Sequence, residues 1–394
     1  MKRLISVAII IVLMIVLAFE NTYAQDEINL EAKAALLMEA GSGEVILEKN
    51  IHQQLPPASI TKMMTYLIAM EAVKTGKVTM EDEVRISSRA AKEKGASYKL
   101  REGEKIKLGE LIEVMMIVSA NDAAWAIAEH VGGNVENFVQ KMNEKAEELG
   151  MTKSYFVNPN GMPEPKEGNL MTARDIAVLT KYIIDYYEKN VLPLTDKGFF
   201  QNPIRNFYKE NTNGLLKVLP EVDGLKTGYT DEAGYCLVST MKVKKKEVDE
   251  QDFRLISVVL GTADEQKRVV ESQKLLSYGY THYTKRRILA AEEKVGQMNL
   301  WKIKELPMEL KAKEDAWAVG PKKRLVKSRE LILLPKISVP VAKGDKLGEL
   351  KITLYNDRVI TVDVVSDRDI KEISFSIYMK RFWMILQSLF ANVI

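Results

Sequence analysis

The spacing of apolar positions changes character several times along the chain, and each change marks an element. Residues 34–40 and 44–48 are short apolar-rich runs joined across Gly41-Ser42-Gly43, a pattern that predicts two strands in a hairpin. Beyond Pro56 and Pro57 an apolar helix is predicted over 59–74, with Gly76 as its stop. Two more apolar helices, 109–118 and 122–131, are broken apart at Ser119-Ala120-Asn121. Asp122 reads as the N-cap of the second, and Gly132-Gly133 as its end. Three strands follow at 224–230, 235–243 and 254–261, and helical period returns over 262–280. The charged stretch KVKKKEVDEQD between the last two strands reads as a solvated hairpin end. Helices on both sequence sides of a run of antiparallel strands imply an α+β domain, one antiparallel sheet with helices on its faces, over 25–285.

From about residue 286 short alternating runs separated by Gly, Pro and Asn-Asp turns replace the helical pattern, which predicts a small all-β domain over 286–370. The two ends of the chain differ from both domains. Lys2 and Arg3 precede an apolar run over 4–19, and Thr22-Tyr23-Ala24 supplies small residues at a cleavage site. Residues 1–24 therefore read as a signal peptide, the other reading being an uncleaved anchor. In either case the body is exported. Within 371–394 the apolar residues Tyr378, Phe382, Ile385, Leu386, Leu389, Phe390 and Val393 share one helical face. From Phe382 to the end a helix extends about 20 Å, short of the roughly 30 Å core of a bilayer. The pattern predicts an amphipathic helix lying in the membrane interface, with Trp383 at headgroup level and Lys380 and Arg381 near the phosphates; a helix packed back on its own domain is the other reading.

Composition narrows the chemistry. The 394 residues carry 57 basic and 54 acidic side chains, a net charge of +3, so the basic excess of a nucleic-acid-binding protein is missing. Cys236 is the single cysteine and rules out an intramolecular disulfide. His52, His130 and His282 are scattered with no Cys or His cluster, so a zinc site is not expected. Cys236 lies mid-strand between apolar neighbours and reads as a core residue.

The stretch PPASITKMMT, 56–65, places Lys62 three residues after Ser59, on one face of the predicted helix. A serine nucleophile needs a base, usually histidine; no G-x-S-x-G elbow exists, and His52 is the only histidine close in sequence to a plausible nucleophile. Lysine can serve if burial lowers its pKa, and Met63, Met64, Tyr66 and Leu67 flank Lys62. The S-x-x-K pattern recurs at Ser239–Lys242, but there it lies in a strand, where positions i and i+3 face opposite ways. K-T-G also occurs twice. Lys74-Thr75-Gly76 is a helix stop, whereas Lys226-Thr227-Gly228 lies in a strand, with a glycine that lets another backbone approach. S-x-N occurs once, at Ser119-Ala120-Asn121.

One copy of each motif thus sits in suitable local structure, in the order S-x-x-K, S-x-N, K-T-G, the signature of penicillin-binding proteins and class A β-lactamases. In that scheme Ser59 attacks a carbonyl and Lys62 takes its proton. Ser119 relays the proton to the leaving amine, and Asn121 orients Lys62 and the substrate amide. Lys226 lowers the pKa of Lys62 and, with Thr227, binds a substrate carboxylate. The K-T-G strand can also pair with an extended peptide.

Together with SANDAAWAIAEHVGG, NPNG at 158–161, NTNGLL at 211–216 and DGLKTGYTDEAGYCLVST, the chain resembles the D-alanyl-D-alanine carboxypeptidases, the low-molecular-weight serine-type penicillin-binding proteins, from about Ala34 to Tyr280. The later β-domain and terminal amphipathic helix match the layout of that family. The resemblance implies a penicillin-binding, β-lactamase-like serine acyltransferase fold with a helical subdomain. It implies removal of the last D-alanine from peptidoglycan stem peptides through an acyl-enzyme on Ser59, with β-lactam antibiotics as inhibitors and without a cofactor. By analogy the oxyanion hole uses the backbone N–H groups of Ser59 and Tyr229, Tyr229 standing where the family often has histidine. Arg268 matches a basic residue near the substrate carboxylate, although a solvated helix charge is an equal reading of that position. A β-lactamase of the same fold is the rival activity, against which no E-x-x-L-N sequence appears; an inert penicillin-binding scaffold is the third reading, against which the Ser59–Lys62 pair stands.

Overall fold

Five antiparallel strands organise the first part of the protein, whose computed structural model describes residues 28–298, 307–372 and 374–391. The signal peptide expected over 1–24 lies outside the described residues. The hairpin of β1 (Ala34–Glu39) and β2 (Val45–Lys49) forms as its spacing predicts. β3 (Val222–Thr230), β4 (Gly234–Val243) and β5 (Phe253–Thr262) complete the sheet in the order β2-β1-β5-β4-β3. Sequence neighbours pair except where β1 inserts beside β5, with Ala35 opposite Val259. β3 is therefore an edge strand, paired with a neighbouring strand on one side only.

Helices cover both faces. Alternate residues of β5, Ile256, Val258 and Leu260, join the large core, and Leu255, one residue out of that alternation, turns to the other side. That core is mainly helical. It is built from α1 (Lys62–Lys74), α2 (Leu108–Ile117), α3 (Asn121–Gly132), α4 (Val135–Glu148) and α5 (Ala173–Thr195), while α6 (Glu265–His282) packs on β4 and β5. α4 and α5 are absent from the sequence-based expectation. Each nevertheless has a local start signal, with Asn134 capping the N–H of Asn137 and Thr172 that of Asp175.

Two local expectations are corrected. The helix predicted from residue 59 begins as a single 3-10 turn, Ala58–Thr61, and becomes α-helical at Lys62. Asp122 is not an N-cap: α3 starts at Asn121 with Ala120 in the cap position. The Asp122 carboxylate, buried in the first turn, accepts from the N–H groups of Tyr98 and Leu100 and from Ser97 Oγ. The donors come from an earlier loop, so a rule that considers only the helix's own free N–H groups misassigns it.

The charged hairpin end after β4 is only partly solvated. Glu250–Gln251 forms a two-residue strand against β6 (Tyr283–Leu289), and the Glu250 carboxylate accepts from Thr284 Oγ1 at 2.6 Å. β6 in turn pairs with Ala316–Pro321. Lys294–Met298, Met308–Ala312, Val326–Leu333, Lys346–Leu354 and Val359–Ser366 make a second five-stranded antiparallel sheet with its own core around Leu310, Ile352 and Val364. Alternation in Lys346–Leu354, with Leu350, Ile352 and Leu354 inward, is the period the sequence displays. The last element is a helix over Phe375–Ala391. Among the described residues no helix is long and apolar enough to cross a membrane.

Candidate active site

Pro56 and Pro57 deliver the chain into the 3-10 turn through Ala58, a non-glycine residue at φ 47°. Such a left-handed alanine persists only where its surroundings hold it, and two glycines make those surroundings possible. A Cβ on Gly161, itself at φ +81°, would stand 1.8 Å from Ala58 O, and one on Gly228 would stand 2.7 Å from Pro57 O. The NPNG loop and the K-T-G strand thus press on the same turn from two directions. Ser59 emerges half-buried between them, and Lys62, one turn on, is 0% exposed.

Lys62 Nζ has three oxygen neighbours: Ser59 Oγ at 2.7 Å, Asn121 Oδ1 at 2.6 Å and the backbone oxygen of Asn160 at 2.7 Å. The two carbonyl oxygens can only accept. A neutral amine has two N–H groups and one lone pair, so satisfying both carbonyls aims the lone pair at the Ser59 hydroxyl. Neutrality is favoured by the surroundings. Burial holds Lys62 well below the usual lysine range, and the nearby Lys226 ammonium lowers it further, against the opposing pull of Asp122 and Glu93.

Ser119, at φ 66°, turns the chain between α2 and α3, and its buried Oγ has no hydrogen-bond partner among the described residues. Asn121 is fixed at both ends of its amide, accepting from Lys62 and donating Nδ2 to Lys94 O at 2.6 Å. Across the turn, Lys226 is 1% exposed and donates to Thr227 O at 3.0 Å; burial, then Arg268, brings it down to about 7. Thr227 Oγ1 pairs with Thr212 Oγ1 at 2.7 Å. Arg268 is no solvated helix charge: it is buried and donates to Thr212 O at 3.1 Å and to Glu265 at 2.7 Å. Tyr229, 48% exposed, donates its hydroxyl to Asp231 at 2.7 Å and lies over Tyr235 with centroids 4.2 Å apart.

The structure therefore brings Ser59, Lys62 and Asn121 into direct contact and sets Gly228 against the serine turn. Lys226 stands close enough to Lys62 for the two charges to repel. Thr227 and Arg268 meet through Thr212. Asn160 and Thr212 were given no role from sequence, although the NPNG and NTNGLL turns that hold them are visible there. Cys236 is core, fully buried, with its thiol pushed up to about 11. Among the described residues no group of three His, Cys, Asp or Glu side chains could hold a metal ion. A cavity of about 100 Å³ beside the serine turn is lined by Pro57, Ala58, Gly161, Leu170, Thr230 and Glu232. A larger one, about 310 Å³, lies at the far end of α1 and touches none of these groups.

A sequence family described as D-alanyl-D-alanine carboxypeptidase matches residues 20–264, and the C-terminal domain of penicillin-binding protein 5 matches 283–372. D-alanyl-D-alanine carboxypeptidase DacF of Bacillus subtilis is 34% identical over 97% of this chain and 98% of its own. DacA of Haemophilus influenzae is 30% identical over 87% of this chain and 86% of its own. Among solved structures, penicillin-binding protein 5 from Haemophilus influenzae superposes with a TM-score of 0.68 at 30% identity, covering 87% of this chain and 98% of that one. Penicillin-binding protein D2 from Listeria monocytogenes, solved with ampicillin bound, gives 0.58 at 29% identity, covering 65% and 100%.

Proposed function

This chain belongs to the D-alanyl-D-alanine carboxypeptidase family, the low-molecular-weight penicillin-binding proteins, and from that premise we propose that Ser59 is its nucleophile and Lys62 the base that activates it. The activity is that of a serine D-alanyl-D-alanine carboxypeptidase. The observation that carries the residue assignment is the grip of two carbonyl oxygens on Lys62, which leaves its lone pair to Ser59.

In the acylation step the Ser59 proton passes to Lys62 and Oγ bonds to the carbonyl carbon of the penultimate D-alanine. The oxyanion sits on the N–H groups of Ser59 and Tyr229. The C–N bond breaks, the leaving amine receives a proton through the Ser119 hydroxyl, and D-alanine departs. Water, deprotonated by Lys62, then cleaves the ester and restores Ser59. The stem peptide lies along the open edge of β3, and its terminal carboxylate meets Lys226 and Thr227, with Arg268 behind. β-Lactams stop the cycle by acylating the same oxygen. A fluorescent penicillin tests this reading through label lifetime: long-lived label with D-alanine release supports it, rapid label loss indicates a β-lactamase, and absence of label overturns it.

Carboxylate recognition makes its own prediction. A pentapeptide amidated at its C-terminus is expected to react at least about tenfold more slowly than the free acid, since a charge-assisted hydrogen bond is worth roughly 1.5–3 kcal/mol. Lys226→Ala should remove most of that preference, and equal rates for acid and amide in the wild type would show that the carboxylate is not read.

The location follows from the two ends. The expected signal peptide exports the chain, and the terminal helix holds it on the outer face of the membrane, where it trims the cell wall. Phe375, Tyr378, Met379, Phe382 and Trp383 fall at helical spacings of three and four and are all exposed, an apolar stripe that their own domain does not cover. Burying each large side chain in the interface stabilises by about 1.5–3 kcal/mol. Truncation before Phe375 is expected to release the protein from liposomes in flotation while leaving hydrolysis of small peptides unchanged. High salt alone should not release it, because the apolar contribution dominates. Full-length protein that stays off the vesicles would rule the anchor out.

A further inference from the structure

The third contact of Lys62 leads away from the three motifs. Asn160 O accepts from the amine, and the Asn160 side chain is pinned on both sides, with Oδ1 accepting from Met162 N–H at 3.0 Å and Nδ2 donating to Glu93 Oε2 at 2.8 Å. Glu93 follows the short helix Ser88–Ala91, and its side chain is only 5% exposed. Arg89, four residues earlier, ion-pairs with Glu93, and its guanidinium lies 4.1 Å from the ring centroid of Trp125 on α3. Trp125 is tied to Glu129, which also accepts from Ser87. A continuous chain of contacts therefore runs Trp125, Arg89, Glu93, Asn160, Lys62.

We propose that Glu93 is a positioning residue for Lys62: through Asn160 it fixes the carbonyl that grips the lysine amine, and with Arg89 it sets the charge that the amine faces. The inference rests on the reading of Lys62 as the base. Its geometric part follows from the hydrogen bonds. Tilting the Asn160 peptide would let the amine rotate, so that its lone pair no longer points at Ser59 Oγ. Its electrostatic part follows from what surrounds the amine: Lys226 from β3, Asp122 from α3, and Glu93 from the loop after Ser88–Ala91. Glu93 itself faces Arg89, Asn160 and the Glu164 carboxylate across the loop; burial raises its pKa, while Arg89 and the Asn160 bond oppose that. Arg89 is the counter-charge that Glu93 faces. Removing one leaves the other uncompensated, and the two removals act on Lys62 in opposite senses.

The test is the pH dependence of acylation by a fluorescent penicillin, followed by stopped flow in the full-length protein. Acylation needs neutral Lys62, so the rate rises with pH through the apparent pKa of that group. Glu93→Gln keeps an acceptor for Asn160 Nδ2 but removes the negative charge and strands Arg89. The rising limb should move to lower pH by about half a unit, with the high-pH plateau kept. Arg89→Gln strands the Glu93 carboxylate, and the limb should move to higher pH by a similar amount. Arg89 is half exposed at its side chain, so its replacement opens no cavity in the core. Glu93→Ala removes charge and acceptor together, and the plateau itself should fall roughly tenfold. A residue that merely supports the fold would lower the plateau in all three variants without displacing the limb in opposite directions. Unmoved limbs, or shifts of the same sign in Glu93→Gln and Arg89→Gln, overturn the proposal. A wild-type protein that takes no label at any pH instead overturns the functional reading beneath it.

Discussion

Ser59→Ala protein is expected to form no covalent adduct with penicillin and to release D-alanine at a rate lower by on the order of 10⁴-fold or more, as when a nucleophile acting in concert with its base is removed. The size of the effect comes from the geometry. Lys62 has its lone pair aimed at one oxygen only, because Asn121 and Asn160 occupy its other two directions. Ser119 does not substitute: it makes no hydrogen bond to the amine, and its hydroxyl is the proton relay in the proposed cycle. Intact-protein mass spectrometry after incubation with penicillin, together with D-alanine release from a defined pentapeptide, reads both halves. A penicillin adduct retained on any other residue would defeat the assignment of the nucleophile.

Lys62→Arg is expected to lower acylation by about 10²–10⁴-fold, the usual contribution of a general base, because a guanidinium has no accessible neutral form. The wild-type pH profile carries the complementary sign. Acylation should increase as pH rises through the pKa of Lys62, which burial and Lys226 place well below the usual lysine range. Burial and then Arg268 bring Lys226 down to about 7, and its loss of charge weakens the hold on a substrate carboxylate. kcat/KM for a peptide acid should therefore fall on the alkaline side, and that falling limb should be missing for the peptide amide. Lys226→Ala removes a like charge from the neighbourhood of Lys62, so the rising limb should move to higher pH. An unchanged limb in that variant, or near-normal acylation by Lys62→Arg, would contradict the roles given to the two lysines.

What the sequence by itself determined is what short-range geometry dictates. A helix places Ser59 and Lys62 on one face wherever it lies in the fold, so their meeting was legible, as were the five sheet strands, whose apolar runs and turns are local. The small β-domain was legible for the same reason, from the alternation in segments such as Lys346–Leu354. α4 and α5 lie outside the sequence-based expectation although each carries an N-cap and an apolar stripe at helical spacing, so nothing physical hid them.

Only the tertiary structure decided how the motifs act on one another. That Gly228 abuts Pro57, and that Lys226 repels Lys62, depends on where β3 lies beside the serine turn. Arg268 was ambiguous until burial and Thr212 removed it from solvent. Asp122 looked like a cap because the sequence exhibits the helix it begins but not the loop of 97–100 that claims its carboxylate. The grip of Asn160 on Lys62 could not be read at all. It is made by a backbone oxygen, which every residue carries, so no letter of the sequence distinguishes it; only the path of the folded chain brings that oxygen within 2.7 Å of the amine.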